Sequence, residues 1–234
     1  GIHRILKKGD ILFGIKLISL HLHKRLNKYI APLSNDNVIG PYSNKDLAPN
    51  GKNPLREKKK ILLIIPTIKL GGMERVASIL SEEWAKKHDV YVCVFDSKDQ
   101  AFPIGGKLIN LSITSHTSMW SKVTGLFKKC LSLNYSLREI KPDYILTFGE
   151  TASLPSIFAC FFSGCLGKLS ISLHTSLDFV PKVHKFAIAF LYDFSNRLLT
   201  PSVAARIQLI NQLHIQASKC QVCSNPIDLD LIDK

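Results

Sequence analysis

The stretch KKILLIIPTIKLGGMER, residues 59–75, decides the fold of this chain. An uninterrupted apolar run over residues 61–65 precedes Pro66, and a short loop then leads to the pair Gly71-Gly72. A strand that is buried on both faces of a sheet has a continuous apolar sequence, whereas a strand with one solvated face alternates apolar and polar residues. The run therefore predicts a buried strand of a parallel sheet.

A helical pattern begins directly after the two glycines. Its apolar residues recur at spacings of three and four positions: Met73, Val76, Ala77, Leu80 and Trp84. Glycine lets the backbone approach a ligand closely, and the first amides of a helix are unpaired donors that favour anions. Residues 59–75 thus predict a ligand cleft at the carboxyl end of a parallel sheet.

Strands and helices alternate through the rest of the chain. The predicted strands cover residues 61–65, 90–95, 108–113, 144–148, 169–173, 197–200 and 219–223, and the predicted helices cover 73–87, 120–140, 151–163, 183–194 and 203–213. Such alternation implies right-handed crossovers between parallel strands. We therefore predict an α/β fold, a Rossmann-like doubly wound parallel sheet, over residues 58–227.

The amino-terminal quarter differs from this domain in composition. Residues 1–60 hold 13 Lys and Arg against 4 Asp and Glu, within a chain whose formal net charge is +13. We predict a basic helical extension over residues 1–31, then a flexible linker over residues 32–57 that is rich in Pro, Asn and Gly. The helix either lies on an anionic lipid surface or packs on the domain. No nucleic-acid motif is found, so we expect no nucleic-acid partner.

The cysteines and the apolar segments bear on localisation. Six cysteines are scattered through apolar segments, which favours buried free thiols and a reducing cytoplasmic setting. Cys220 and Cys223 have the spacing of half a zinc site, but on a strand residues three apart face opposite sides. Residues 154–166 form the longest apolar segment and contain Pro155, so we expect a core helix rather than a membrane span. We expect a cytoplasmic protein, peripheral at the inner face of the membrane.

Five short motifs in order give the sequence a family resemblance. They are Gly71-Gly72 with Glu74-Arg75, Lys141-Pro142-Asp143, Ser172-Leu173-His174, Pro201-Ser202, and Ser224-Asn225-Pro226-Ile227-Asp228. With the apolar strand that precedes them, they resemble the amino-terminal domain of the retaining GT-B glycosyltransferases of subfamily 4. The resemblance covers roughly residues 58 to 230.

This resemblance implies one half of a two-domain enzyme. It implies metal-independent, retaining transfer of a sugar from a nucleotide-diphosphate sugar to a glycan or lipid-linked acceptor, as in polysaccharide or lipopolysaccharide biosynthesis. The acceptor would bind this half, and a second domain would hold the donor and a pair of glutamates, E-x-x-x-x-x-x-x-E, that this chain lacks at a matching place. We expect residues 228–234 to begin the linker to that domain. We also expect that the chain is processed or is an excerpt of a longer protein, and that it is inactive by itself.

The expected site residues follow the predicted strands, because ligands meet a parallel sheet at the carboxyl ends of its strands. His174 ends an apolar strand, and the resemblance implies contact with the donor sugar. Glu150 follows residues 144–148, where it either orients a sugar hydroxyl, acts as a base or caps the next helix. The residues expected to bind substrate or donor are Gly71, Gly72, Arg75, Thr175 and Ser202.

Each of these residues has a structural alternative. The glycine pair can serve turn geometry alone, Arg75 can pair on the surface, and Ser202 can cap the helix over residues 203–213. Glu74, in the first turn of its helix, is expected to complement the helix dipole rather than to serve the site.

Other classes of function are less consistent with the sequence. It contains no G-x-S-x-G, H-E-x-x-H or P-loop motif, and Asp228 and Asp230 lie in the terminal tail, so no metal site or cofactor is expected beyond the nucleotide-sugar co-substrate. A nicotinamide-dependent oxidoreductase is one alternative, since Asp96 could bind a ribose, but G-x-G-x-x-G is missing. A non-catalytic GT-B half that serves as a binding or partner subunit is the other alternative.

Overall fold

A computed structural model describes residues 58–113, 119–174 and 182–226 of the chain. Residues Lys58–Lys234 form one compact unit. The extension and linker predicted over residues 1–57, and the terminal residues 228–234, lie outside the described ranges. No helix among the described residues is both long enough and apolar enough to cross a membrane.

Strands and helices alternate in the order that the sequence predicts. The strands are β1 Lys60–Thr67, β2 Asp89–Asp96, β3 Lys107–Asn110, β4 Tyr144–Phe148, β5 Leu169–Ser172, β6 Arg197–Thr200 and β7 Cys220–Val222. The helices are α1 Gly72–Ala85, α2 Met119–Ile140, α3 Gly149–Ser163, α4 Lys182–Leu191 and α5 Val203–Leu213. Short 3-10 turns occupy Leu166–Lys168, Tyr192–Phe194 and Ala217–Lys219.

The seven strands form one sheet in the order β3-β2-β1-β4-β5-β6-β7. All six neighbouring pairs are parallel. The chain moves outward from β1 to β3 in one direction and from β4 to β7 in the other, so β1 and β4 flank the point where the winding reverses. The predicted α/β fold with a doubly wound parallel sheet is confirmed. A crevice is expected between the carboxyl ends of β1 and β4.

Two apolar clusters cover opposite faces of the sheet. Leu62 and Ile64 of β1 point into a cluster that α2, α3, α4 and α5 share. Leu63 and Ile65 point the other way, toward Val76 and its neighbours on α1. Because side chains alternate along a strand, the continuous apolar sequence of β1 serves both clusters. β1 is therefore buried on both faces, as the opening sequence predicts.

The first strand continues beyond the predicted end at Ile65. Its pairing with β4 stops at Ile64, whereas its pairing with β2 continues to Thr67. Pro66 thus lies where β1 has one neighbour, and a residue without a backbone N–H is tolerated at such an edge. The strand delivers Thr67 to the rim of the crevice.

Three other predicted boundaries were wrong for local reasons. β3 ends at Asn110 rather than 113, because the Asn110 side chain accepts the Ser112 amide at 2.9 Å in a turn. Helix α3 begins at Gly149, two residues earlier than predicted, and α4 ends at Leu191, where a 3-10 turn follows. Cys220 is buried on β7, whereas Cys223, predicted on the same strand, lies one residue past its end and is exposed.

Candidate active site

The crevice between β1 and β4 is bounded on one side by the start of α1. Gly71 precedes this helix with an extended backbone, and its carbonyl accepts the Arg75 amide at 3.0 Å. Gly72 is exposed, and a Cβ placed on it would meet nothing within 4 Å. The glycine pair therefore presents open backbone at the rim, next to the unpaired amides of a helix start.

The other side of the crevice is the turn from β4 into α3. Gly149 begins α3 with a left-handed backbone, φ +69°, which glycine adopts without steric penalty. A Cβ at this position would lie 3.0 Å from the Met73 thioether sulfur. The first turn of α1 and the β4–α3 turn are therefore in close contact across the crevice.

His174 lies at the same edge, just past the end of β5. Its ring stacks on the Phe148 ring with centroids 5.7 Å apart and an interplanar angle of 23°. Its Nε2 is 3.0 Å from the Ser172 hydroxyl. Because Phe148 pairs with Ser172 across β4 and β5, the sheet register itself brings these three side chains together.

Burial lowers the pKa of His174, and the Glu74 carboxylate opposes this effect. The imidazole is therefore mainly neutral at pH 7. A neutral imidazole has one donor and one acceptor nitrogen, and Ser172 occupies Nε2. Within the described residues, Nδ1 has no hydrogen-bond partner.

Glu150 lies in the first turn of α3, partly buried. The Ser153 hydroxyl donates to the Gly149 carbonyl at 2.6 Å and so braces this turn. The pKa of the neighbouring Tyr192 is raised, mainly by burial and in smaller part by the Glu150 carboxylate. Ser153 acts in the opposite direction. Glu150 thus lies at the β4 rim, with Tyr192 close to it.

Three predicted site residues remain. The Arg75 side chain is exposed on α1. The Ser202 hydroxyl caps α5 by accepting the Ala205 amide at 3.2 Å, which is its expected structural role. Thr175 lies outside the described residues. The structure therefore brings together Gly71, Gly72, Glu150 and His174, at the ends of three adjacent strands.

Sequence reasoning missed four side chains at this site. They are Thr67, Met73, Phe148 and Ser172, and Glu74 was assigned to the helix dipole alone. The sequence contained a signal for Ser172, because residues 172 and 174 fall on the same face of an extended segment. The other contacts depend on how α1 and α3 pack, which no local pattern specifies.

Among residues 58–113, 119–174 and 182–226, no group of three His, Cys, Asp or Glu is arranged to hold a metal.

Comparison with known proteins gives a family match over most of the chain. Residues 70–231 match the model of Glycosyltransferase Family 4. A sequence relative is the "GalNAc-alpha-(1->4)-GalNAc-alpha-(1->3)-diNAcBac-PP-undecaprenol alpha-1,4-N-acetyl-D-galactosaminyltransferase" of Campylobacter jejuni, which is 28% identical over 142 residues. That alignment covers 59% of this chain and 39% of the relative.

Solved structures show the same fold at low sequence identity. The lipopolysaccharide outer core galactosyltransferase WaaB, in its apo form, has a TM-score of 0.55 and 23% identity, with 72% of this chain and 46% of that chain covered. Anabaena Alr3699/HepE in complex with UDP and glucose has a TM-score of 0.53 and 17% identity, with coverages of 74% and 46%. The chain spans less than half the length of these relatives.

Proposed function

Because this chain belongs to glycosyltransferase family 4, we propose that it is the acceptor-side half of an enzyme that transfers a sugar from a nucleotide-diphosphate donor. The transfer breaks the bond between the sugar anomeric carbon and the diphosphate, and forms a bond to an acceptor hydroxyl that loses its proton. We take the reaction to be retaining and metal-independent, with the donor held largely by a second domain.

The reversal of the sheet between β1 and β4, with Gly72 and His174 near the carboxyl ends of its strands, is the observation that carries this proposal. Ligands of open α/β sheets bind at such a point, outside the carboxyl ends of the strands. The carboxyl ends of the strands here combine exposed backbone at Gly72, a partly buried imidazole at His174 and the fully buried Phe148 ring on which that imidazole stacks. This set suits a polyhydroxyl ligand, because the imidazole and the exposed backbone can bond its hydroxyls, while the buried Phe148 ring holds the imidazole in place by stacking.

His174 is the residue that we assign to the transferred sugar. With Nε2 held by Ser172, the ring is fixed and Nδ1 makes a second hydrogen bond, to a sugar hydroxyl. Glu150, at the β4 rim, orients another hydroxyl or accepts its proton. Gly71, Gly72, Arg75, Thr175 and Ser202 contribute to binding of the donor or acceptor.

The relatives support the class of donor and of acceptor. HepE binds UDP and glucose, and the Campylobacter relative acts on a saccharide linked to undecaprenol diphosphate. We propose a nucleotide-sugar as the donor and a glycan or lipid-linked saccharide as the acceptor. An acceptor of this kind suits a cytoplasmic protein, peripheral at the inner face of the membrane, whose residues 1–31 contact anionic lipid.

Substitution of His174 tests the proposal. In a preparation that transfers sugar, His174→Ala should lower kcat at least about tenfold, since a positioned polar contact contributes on the order of 1.4 kcal/mol or more to the transition state. The measurement is release of nucleoside diphosphate at saturating donor and acceptor. Circular dichroism of the variant should match that of the wild type.

His88→Ala is the matched control. His88 lies just before β2, at the opposite edge of the sheet, where its Nδ1 accepts the Lys59 amide at 3.4 Å. Its replacement should leave kcat within about twofold. An unchanged kcat in folded His174→Ala, or an equal loss in both variants, would remove His174 from the site.

A further inference from the structure

The Glu74 carboxylate is held at the mouth of the crevice. Its Oε1 accepts a hydrogen bond from the Thr67 hydroxyl at 3.1 Å. Its Oε2 lies over Gly71, where a Cβ would come within 2.3 Å of it. Since the Gly71 backbone is extended, φ −175°, glycine is not required there for conformation. Glycine at position 71 instead leaves room for the carboxylate.

This carboxylate lies at the same end of the sheet as the imidazole. Thr67, which holds it, ends β1, and the neighbouring β4 ends at Phe148, whose ring stacks on His174. The Glu74 charge favours the protonated form of His174 against the effect of burial. Ser172 and Phe148, the other described contacts of the ring, are uncharged. Among the described residues, Glu74 is thus the charged side chain that acts on this histidine.

We propose that Glu74 is a positioning residue for His174, held by Thr67 over Gly71 so that its charge faces the imidazole. The catalytic consequence rests on the proposed function, whereas the coupling between the two side chains does not. A carboxylate in the first turn that only complemented the helix dipole would not be coupled to His174.

The coupling affects what the imidazole can do in the crevice. A protonated imidazole donates from both ring nitrogens, so that one can bond Ser172 and the other a ligand oxygen. A departing diphosphate gains negative charge, which a nearby donor stabilises. By favouring this proton, Glu74 extends the pH range over which His174 can donate into the crevice.

Proton NMR titration of the His174 ring tests the coupling directly, with the signal assigned by its loss in His174→Gln. In Glu74→Gln the pKa of His174 should fall by about half a pH unit, as expected when one partly exposed opposite charge is removed. Glu82→Gln removes an exposed carboxylate from the same helix, far from its start, and should leave this pKa unchanged. An unchanged pKa in Glu74→Gln, or an equal fall in Glu82→Gln, overturns the proposal.

The two glycines provide a second, steric test. Gly71→Ala should push the carboxylate away from Thr67 and lower the pKa of His174, whereas Gly72→Ala, with open space around its Cβ, should not. Thr67→Val removes the hydroxyl at nearly constant volume and should act like Gly71→Ala. If folded Gly71→Ala and Thr67→Val both leave this pKa unchanged, the carboxylate is not held as proposed.

Measurements of turnover distinguish a failure of this inference from a failure of the proposed function. In an active preparation, Glu74→Gln should move the limb of the pH–rate profile that His174 sets to lower pH, and Glu82→Gln should not. A lower kcat with no movement of that limb would indicate a merely structural role for Glu74 and overturn its positioning role. If His174→Ala leaves kcat unchanged while the NMR coupling is present, the proposed function fails and the coupling stands.

Discussion

Gly149 links the two sides of the crevice at the scale of a single residue. It has a left-handed backbone at the start of α3 and leaves space for Met73 of α1. Gly164, at the end of the same helix, has nearly the same backbone, φ +68°, but open space around its Cβ. The two positions therefore separate backbone strain from contact with Met73.

We predict that Gly149→Ala destabilises the fold more than Gly164→Ala. The backbone alone should make each alanine cost about 1–2 kcal/mol. Gly149→Ala must in addition move Met73, which overpacks the crevice and adds on the order of 1 kcal/mol. Urea unfolding of the two variants and the wild type measures the difference. Equal free energies of unfolding for both variants would contradict the close fit at Met73.

His174 and Glu74 show how far the sequence specifies single residues. His174 could be predicted at the site because it ends an apolar strand, and strand ends share one edge of a parallel sheet. Glu74 was interpreted as a helix-dipole residue because that explanation needs only its place in the first turn. That its carboxylate turns toward Thr67 depends on the direction of a long side chain, which sequence spacing leaves open.

At the scale of elements, the loop between β2 and β3 is hydrogen-bonded to the middle of α1. The Ser78 hydroxyl donates to the Pro103 carbonyl at 2.6 Å, and the Gly105 amide donates to the Ser81 hydroxyl at 3.0 Å. A Cβ on Gly105 would lie 2.4 Å from the Ser81 carbonyl oxygen. The loop backbone therefore lies directly against the helix backbone.

We predict that Gly105→Ala separates this loop from α1 and costs roughly 2–4 kcal/mol, through overpacking and the loss of two partly buried hydrogen bonds. Gly167→Ala is the control, since a Cβ there meets nothing within 4 Å. Thermal unfolding and hydrogen exchange of the Gly105 amide provide the measurements. A melting temperature equal to that of Gly167→Ala would show that the loop is not fastened as described.

Element types followed from the sequence better than element ends did. The apolar run of β1 predicted a strand of a parallel sheet, because burial on both faces leaves no polar position. Its extension through Pro66 did not follow, since it depends on where β4 stops pairing. The end of β3 depends likewise on a side-chain turn at Asn110. Such boundaries are set by neighbours in space rather than by local pattern.

At the scale of the whole molecule, positive charge is most concentrated in the residues that precede the described domain. Residues 1–57 contain 10 Lys and Arg against 4 Asp and Glu, a net of +6 in 57 residues, whereas residues 58–234 contain 21 against 14, a net of +7 in 177 residues. Attraction of basic segments to anionic lipid contributes about 1 kcal/mol for each Lys or Arg near the surface. The proposed contact with lipid therefore concerns the extension, not the sheet.

We predict that the full chain binds vesicles containing anionic lipid and that residues 58–234 alone do not. Co-sedimentation with vesicles of phosphatidylglycerol and phosphatidylcholine measures the binding, and added salt should weaken it. Circular dichroism and cooperative urea unfolding of the shorter chain are the controls, since residues 58–234 form one compact unit. Equal binding by both chains would place the lipid contact on the domain.

The position of β1 between β2 and β4 also has a consequence for synthesis on the ribosome. Its partner β2 follows within about 30 residues, but Ile61 pairs on its other side with Tyr144, about 80 residues later. At roughly 5–20 residues per second, the nascent chain leaves one edge of its most apolar strand unpaired for about 4–16 s. β1, an interior strand of the finished sheet, is thus the first of the described strands to leave the exit tunnel, but it gains its second neighbour only after β2, β3 and β4 have followed. Chaperones that bind extended apolar segments have that interval in which to act.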